Sequence, residues 1–309
     1  MARKPKTRVR KRRQNRHRTK RLRGGNVHAN VKKAQENNHS KNTTIVKTGN
    51  EVSFICKHHL GDNLFNLKFL FNICPILKEK GIKIKYYYDS IYNKSPDELK
   101  RYVNPEVMTL EPGHNAPNNA TQLWMGDTVD GSARYSPVDI YFPKFYTMML
   151  EKMGLKDSGI DTSLYQKEPY LEEIYQKLDP KFKDLDILII NAEPQSGQFV
   201  YHKLLFEKMC KNLATKYKVA TSSPIDGDDT IPCTFKDNLF LQDIGAISTH
   251  AKYIIAVNSG PLVPCYTHAT KEHVKKWIIF VDEPFEHTQV NSIALKNTYD
   301  FRHIEEHLT

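Results

Sequence analysis

Cysteine is scarce in this chain, and no two cysteines have the spacing of a redox or metal site. The 309 residues include five cysteines, an odd number, spread from Cys56 to Cys265 without a Cys-x-x-Cys pair. This pattern disfavours a disulfide framework and a structural zinc site. It favours a reducing compartment, so we expect an intracellular protein.

Long apolar runs are absent as well. No stretch of about 18 apolar residues occurs, which argues against a membrane-spanning helix. No apolar segment follows the basic start, as a secretory signal would require. We therefore expect a protein that is not secreted and has no transmembrane segment, located in the cytoplasm, with the nucleus or a virion as alternatives.

Several common catalytic motifs are missing. No Gly-x-Gly-x-x-Gly follows a first strand and no Gly-x-x-x-x-Gly-Lys-Ser/Thr occurs, which disfavours a nicotinamide dehydrogenase and a P-loop enzyme. A Gly-x-Ser-x-Gly hydrolase elbow is lacking too. An Asp-x-Asp manganese motif has no convincing instance, and the pair His58-His59 has no companion at ligand spacing. We predict no metal site.

Positive charge is concentrated at one end. The formal net charge is +11, but residues 1–25 hold thirteen Lys or Arg and no acidic residue, which leaves 33 basic against 35 acidic residues elsewhere. Residues 1–50 show no apolar period, so we predict a disordered basic tail. Such a tail suits nonspecific contact with nucleic acid or another polyanion, or nuclear localisation. A solvated extension without a dedicated partner is the alternative.

Two series of alternating strands and helices follow the tail. The first predicts strands at 52–56, 82–88, 106–110 and 121–125, with helices at 64–77, 96–102 and 141–153. The second predicts strands at 185–190, 217–221, 253–257 and 277–281, with helices at 199–216, 239–249 and 299–307. Two such series are typical of an α/β protein with two Rossmann-like, doubly wound domains that face a crevice.

We place the domain boundaries where the pattern changes. Residues 1–50 form the tail, 51–170 the N-terminal domain, 171–184 the interdomain connection, 185–285 the C-terminal domain and 286–309 a C-terminal helix. The connection is assigned because residues 154–184 are charged and tyrosine-rich and show no strand pattern.

Three loops of the second series follow predicted strands, where α/β sheets bind their ligands. They cover residues 191–197, 221–229 and 258–261, and helix N-termini behind the first and third would offer N–H groups to a diphosphate. A purely structural helix start is the alternative for the Ser-Gly-Pro turn. The candidate binding residues are Asn191, Gln195, Ser196, Gly197, Asn258, Ser259, Gly260 and Pro261.

The first series contributes one loop of comparable interest, after its first strand. It contains His58, His59, Gly61, Asp62 and Asn63. Asp62 is a candidate general base, because a carboxylate at a strand end can take a proton from a hydroxyl. The alternative is that Asp62 caps the helix that follows.

These two motifs carry a family resemblance. A strand, Leu60-Gly61-Asp62-Asn63-Leu64 and a helix come early, and a helix, a strand, Asn258-Ser259-Gly260-Pro261 and a helix come late. The arrangement resembles the heptosyltransferase type of GT-B glycosyltransferases, glycosyltransferase family 9, over residues 50–285. The resemblance implies an acceptor site in the N-terminal domain, at His58, His59, Gly61 and Asn63. It implies a nucleotide-sugar donor site in the C-terminal domain, with the turn at 259–261 holding the diphosphate. It further implies metal-independent transfer without a cofactor, Asp62 as the general base, and an acceptor that is a glycan or a protein.

The chain departs from the family at three points. The acidic residue of the family motif is Asn258 here, its histidine falls on Val263, and the loop Gln195-Ser196-Gly197-Gln198 lacks a basic residue. These departures favour an alternative, a catalytically inactive GT-B-like module tethered to nucleic acid or another polyanion by the tail. A nucleotide-sugar epimerase is a third hypothesis. The arginine-rich stretch of residues 1–25, which ends in Gly-Gly, is similar to tails on proteins of large DNA viruses.

Overall fold

A computed structural model describes residues 50–93, 96–124, 137–195, 199–281, 287–296 and 299–308. The predicted tail up to residue 49 lies outside these ranges. Within them the chain forms two parallel β-sheets, one from each series of strands and helices. None of the helices in these ranges combines the length and the apolar character that crossing a bilayer requires.

The first sheet contains four parallel strands. They are β1 (Glu51–Cys56), β2 (Lys83–Tyr88), β3 (Met108–Pro112) and β4 (Thr121–Gln122), in the order β3-β2-β1-β4. Its helices are α1 (Leu60–Asn72), α2 (Cys74–Glu79), α3 (Pro96–Lys100) and α4 (Val138–Met153). The βαβ unit predicted around β1 and β2 is confirmed, with Glu51 opposite Lys83 and Cys56 opposite Tyr88.

Helix α1 begins four residues earlier than predicted. We expected a turn as far as Asn63 and a helix from Leu64, but the helix begins at Leu60 and His59 is its N-cap residue. Asp62 therefore lies in the first helical turn and is not the N-cap. A carboxylate in this turn interacts favourably with the positive end of the helix dipole.

The second sheet contains five parallel strands. They are β5 (Ile187–Ile190), β6 (Val219–Thr221), β7 (Tyr253–Val257), β8 (Lys276–Phe280) and β9 (Ser292–Leu295), in the order β6-β5-β7-β8-β9. Strand β7 lies at its predicted bounds. All five of its residues are buried, and alternate ones enter two different core clusters, as expected of a strand covered on both faces.

Among the described residues, four helices surround the second sheet, and the three that were predicted are shorter than expected. They are α6 (Lys203–Ala214), α7 (Leu241–Ser248), α8 (His268–His273) and α9 (Phe301–Glu305). Helix α8 and strand β9 were not predicted. The segment between the two sheets contains helix α5 (Tyr170–Lys177), which packs against α7.

One hydrophobic core joins the two series. A single cluster of buried side chains includes residues of β1, α1 and α4 together with residues of α5, α7 and β7. Inside it, the Lys68 ammonium lies 2.6 Å from the Glu168 carboxylate, and both side chains are almost fully buried. Lys68 also donates a hydrogen bond to the carbonyl oxygen of Tyr266. Helix α1 is thereby attached to the segment before α5 and to the segment after the 3-10 helix Gly260–Cys265. All described residues belong to one compact unit.

Candidate active site

The two motifs of the resemblance are in direct contact through two glycines. A Cβ atom added to Gly61 would lie 3.2 Å from Gly260 Cα, and one added to Gly260 would lie 3.2 Å from the Gly61 nitrogen. Backbones can approach this closely because glycine has no side chain. The first turn of α1 and the turn after β7 therefore meet backbone to backbone, near the carboxyl ends of strands from both sheets.

The turn after β7 leads into a 3-10 helix, Gly260–Cys265, with Ser259 as its N-cap. We expected a helix to start at the Ser-Gly-Pro turn, and a short 3-10 helix with Pro261 at its second position starts there. A physical reason for its short length is Pro264, which lies inside the helix and cannot donate a backbone hydrogen bond.

The Ser259 hydroxyl is buried, and it has no hydrogen-bond partner among the residues that the structure describes. Buried polar atoms are nearly always paired, so such an atom calls for an explanation. A ligand in the crevice would supply the missing partner.

Asp62 follows Gly61 in the first turn of α1 and is partly exposed. Burial of the carboxyl group raises its pKa above the ordinary value, and His58 and His59 oppose that rise through their charge interactions. A carboxylate with a raised pKa is a stronger general base at neutral pH. The position and the electrostatics both suit proton abstraction.

A small pocket opens beside Asp62. Its empty space is about 180 Å³, part of it open to solvent. Sequence reasoning missed it because its walls come from three separate segments: the first turns of α1, the residues after β4, and α4. The lining residues are Asp62, Phe65, Asn66, Leu123, Trp124, Phe142 and Phe145.

The two histidines of the loop point towards different aromatic rings. The His58 ring stacks on Trp124, with centroids 4.4 Å apart and planes at 23°, whereas the His59 ring contacts Tyr92 at 4.8 Å. Across the described ranges, no group of three or more His, Cys, Asp or Glu residues could hold a metal ion.

Asn63 was a predicted acceptor-side residue, but in the structure its side chain is buried beneath the backbone of His58 and His59. Its side chain is fully buried, and its Nδ2 donates to the carbonyl oxygens of His58 and His59 at 3.1 and 3.0 Å. Tyr86 donates its hydroxyl proton to Asn63 Oδ1 at 3.0 Å. Asn63 thus fixes the backbone that carries the two histidines.

Two further asparagines complete this support, and sequence reasoning did not single them out. Asn66 Nδ2 donates to the Tyr86 hydroxyl at 3.0 Å, and Asn93 Nδ2 donates to the His58 carbonyl at 3.0 Å. Both side chains are buried. These asparagines are scattered through the sequence and follow no period. Their shared role, which is to hold the backbone around His58, is visible only in the folded chain.

Among the predicted donor-side residues, Asn191 joins the ends of β5 and β6. Its Oδ1 accepts hydrogen bonds from Ser223 N at 2.8 Å and Ser222 Oγ at 3.2 Å, and its Nδ2 donates to the Ser223 carbonyl at 3.0 Å. Asn191 therefore positions two loops at the crevice edge. Gln195 is exposed, and the structure does not describe Ser196 and Gly197.

Two of the three departures from the family pattern, Asn258 and Val263, have clear positions. Asn258 is half-buried, and its backbone N–H donates to the Phe280 carbonyl at 3.0 Å. Val263 is buried, and its Cγ2 would lie 3.8 Å from a Cβ on Gly61. An apolar side chain thus packs against the glycine contact where the family has a histidine.

Comparison with solved structures identifies the fold class. The chain is similar to the E. coli heptosyltransferase WaaC with ADP-2-deoxy-2-fluoro heptose, with a TM-score of 0.51 and 10% sequence identity over 83% of this chain and 99% of that chain. It is also similar to the glycosyl transferase family 9 protein from Veillonella parvula, with a TM-score of 0.43 and 14% identity over 87% and 91%. No protein-family model and no curated protein matches the sequence. The predicted GT-B-like fold with two parallel sheets is confirmed by the first of these structures and the topology.

Proposed function

We propose that this chain is a glycosyltransferase that moves a sugar from a nucleotide-sugar donor to an acceptor hydroxyl. The contact between Gly61 and Gly260 is the observation that supports this most directly. Asp62 follows the first of these glycines in the sequence and Ser259 precedes the second, so both proposed site residues lie next to the contact. Ligands of α/β sheets bind at strand carboxyl ends, and strand ends from both sheets meet here.

In the proposed reaction Asp62 is the general base. It accepts the proton of the acceptor hydroxyl while that oxygen forms a bond to the anomeric carbon of the donor sugar. The bond between the anomeric carbon and the diphosphate oxygen breaks at the same time, and the nucleoside diphosphate leaves with the electron pair. The raised pKa of Asp62 favours the first proton transfer.

The leaving diphosphate is held, in this proposal, by the turn from Asn258 to Pro261. The Ser259 hydroxyl and the Gly260 N–H would donate to phosphate oxygens; Pro261 has no N–H, and the Leu262 N–H already donates to the Ser259 carbonyl. Hydrogen-bond donors aimed at developing negative charge are a large source of catalysis. The reaction is proposed to need neither a metal ion nor a further cofactor.

The proposal is tested by thermal unfolding of the full chain with a panel of nucleoside diphosphates and nucleotide sugars. A ligand that binds only the folded state at 100 times its Kd adds about 2.7 kcal/mol of stability. We expect one nucleotide to raise Tm. Ser259→Ala should weaken its binding, whereas Ser158→Ala, which removes a hydroxyl bonded to the Leu155 carbonyl, should leave it unchanged.

Turnover is measured as release of nucleoside diphosphate from the donor identified in this way. Asp62→Asn should bind that donor normally and release almost no product. If no nucleotide raises Tm at millimolar concentration, the donor site does not exist. In that case binding of a polyanion through the tail would indicate the inactive tethered module.

A further inference from the structure

The two halves of the chain are joined by more than the contact between the two glycines. The first half is residues 51–153 and the second half is residues 185–308, in the parts that the structure describes. Two domains that face a crevice are expected to move relative to each other unless their interface is large and hydrophobic. In this chain one cluster of buried apolar side chains runs through both halves. The shared core therefore opposes rotation of one half against the other.

Two charged side chains of the first half bind backbone groups of the second half. Lys68, on α1, is buried and donates to the carbonyl oxygen of Tyr266, the residue after the 3-10 helix. Glu98, on α3, is half-buried, and its Oε2 accepts a hydrogen bond of 2.9 Å from the N–H of Leu241, the first residue of α7. A carboxylate at that position also interacts favourably with the positive end of the helix dipole. Each contact therefore attaches a helix of the first half to a segment of the second.

A third charged side chain makes several hydrogen bonds of this kind. Asp139, the second residue of α4, is 1% exposed. Its Oδ2 accepts from the N–H groups of Thr288 and Gln289, both at 2.7 Å, and its Oδ1 accepts from the Thr288 hydroxyl at 3.1 Å. Residues 288–289 lie between β8 and β9. The start of α4 is thereby attached to the connection between two strands of the second sheet.

These three attachments, at Lys68, Glu98 and Asp139, lie on different helices of the first half and end on separate segments of the second half. Rotation of one half against the other would pull at least one of the charged groups away from its partners. A charged group that is partly or fully buried without its hydrogen bonds is strongly unfavourable. The arrangement of the two halves therefore has little freedom.

The attachment at Lys68 bears directly on the candidate site. Lys68 and Asp62 lie on the same helix, α1, and Tyr266 follows the 3-10 helix that has Ser259 as its N-cap. The contact between Lys68 and Tyr266 thus connects the helix of the proposed general base with the helix of the proposed diphosphate site. Loss of this contact would let the two shift relative to each other.

We propose that Lys68, Glu98 and Asp139 are positioning residues. They hold the two halves in one arrangement, so that Asp62 and the turn at 258–261 are in their working positions before a ligand binds. This inference rests on the proposed glycosyl transfer, and it adds that the transfer needs no closing movement of the two halves. Correct positioning before the reaction is itself a large source of rate.

The distance between two spin labels, one on each half, tests whether the arrangement is fixed. Ile91, after β2, is 73% exposed, and Leu204, on α6, is 79% exposed. The five native cysteines are buried, so the label reacts with cysteines introduced by Ile91→Cys and Leu204→Cys in the full chain. Double electron–electron resonance measures the distance. We expect one narrow distance without ligand, and a change of less than about 2 Å after addition of ADP, GDP, CDP or UDP.

A matched set of variants at Glu98 tests one attachment. In the labelled chain, Glu98→Ala removes the acceptor of the Leu241 N–H, whereas Glu98→Gln keeps a side-chain oxygen there. The control is Asp186→Ala, because the Asp186 carboxylate accepts from the Lys218 N–H at 2.9 Å within the second half. We expect Glu98→Ala to broaden the distance distribution. Glu98→Gln and Asp186→Ala should keep it narrow.

A paired change at Lys68 separates positioning from stability. Lys68→Met together with Glu168→Gln removes the attachment to Tyr266 and leaves neither partner of the buried ion pair charged. We expect a folded chain with a broadened distance distribution. Turnover, as release of nucleoside diphosphate, should fall about tenfold with the donor KM unchanged, because the proposed donor residues lie within one half and the proposed base within the other. Asp186→Ala should leave kcat unchanged.

Several results would overturn the proposal. A broad or double distance in the ligand-free chain that a nucleotide narrows would mean that the crevice closes on binding. A narrow distance and full turnover in both Glu98→Ala and the paired variant at Lys68 would mean that these residues do not position the site; if the paired variant does not fold, the Glu98 variants decide. If no nucleotide binds, the proposed function fails, while the ligand-free distances still show whether the halves are fixed.

Discussion

Gly61→Ala tests whether the start of α1 and the turn after β7 are as close as the structure shows. The new Cβ would lie 3.2 Å from Gly260 Cα, so the two backbones must separate by a few tenths of an ångström. Overpacking of this kind costs about 1–3 kcal/mol. Replacing glycine by alanine inside a helix returns roughly 0.5–1 kcal/mol, so the expected net loss is about 1–2 kcal/mol.

Urea unfolding measures this loss as a change in the free energy of unfolding. A loss of about 1–2 kcal/mol corresponds to a fall in Tm of roughly 2–8 °C for a chain of this size. The same displacement moves Asp62 relative to Ser259, and we expect turnover to fall about tenfold, since misplacement by 1 Å costs up to about a hundredfold. Gly260→Ala should behave similarly.

The control is Gly113→Ala, whose Cβ would lie 3.1 Å from the Tyr88 carbonyl oxygen in the first sheet. It should cost similar stability and leave nucleotide binding unchanged. In the double variant of Gly61 and Gly260 the effects should not be additive, because both methyl groups enter the same gap. Additive effects on stability, together with unchanged turnover in both single variants, would refute the reasoning.

Four further outcomes are expected. Because burial raises the pKa of Asp62, its contribution to stability is present below the ordinary Asp pKa and is lost as pH rises through the raised value; Asp62→Asn should remove this loss, measured as Tm against pH. Lys68→Met leaves the buried Glu168 without its cation and should cost about 3–5 kcal/mol in urea unfolding, and a second change, Glu168→Gln, should restore much of it. Burial lowers the pKa of His287 from 6.5 to about 4, so stability should fall as pH drops through that window, by on the order of 3 kcal/mol, and a His287→Gln variant should show a flatter profile. If residues 1–25 bind polyanions, the affinity of the full chain for heparin should fall steeply with added salt, and a salt-independent affinity would contradict this.

The parts of the fold that the sequence predicts well are those with a strong local pattern. Strand β7 is a continuous apolar run, and its limits agree with the structure. Strand β9 was missed because its apolar run, Ile293 to Leu295, is only three residues long. Helix α8, of six residues, is too short to show a helical period.

The candidate site was predicted in part, for a similar reason. Asp62 and the turn at 258–261 each follow a strand. Because ligands of α/β sheets bind at the carboxyl ends of strands, each could be predicted as a site residue on its own. Gly61 was interpreted as a turn residue, although it lies in the helix, where the missing side chain serves a contact with a distant segment. The sequence around Gly61 does not indicate that the distant segment is the turn at Gly260. The same limit hid the pocket, since Trp124 and Phe142 meet Asp62 only after the first sheet and its helices have formed.

The buried contact between Lys68 and Tyr266 also matters for how the chain is made. The two residues lie 198 positions apart in the sequence. At about 5–20 residues per second, a ribosome needs roughly 10–40 s to synthesise the chain between them. During that time the face of α1 that packs on the second half has no native partner. The first half of the nascent chain therefore waits with apolar surface uncovered, so its exposure to aggregation lasts as long as the synthesis of the second half.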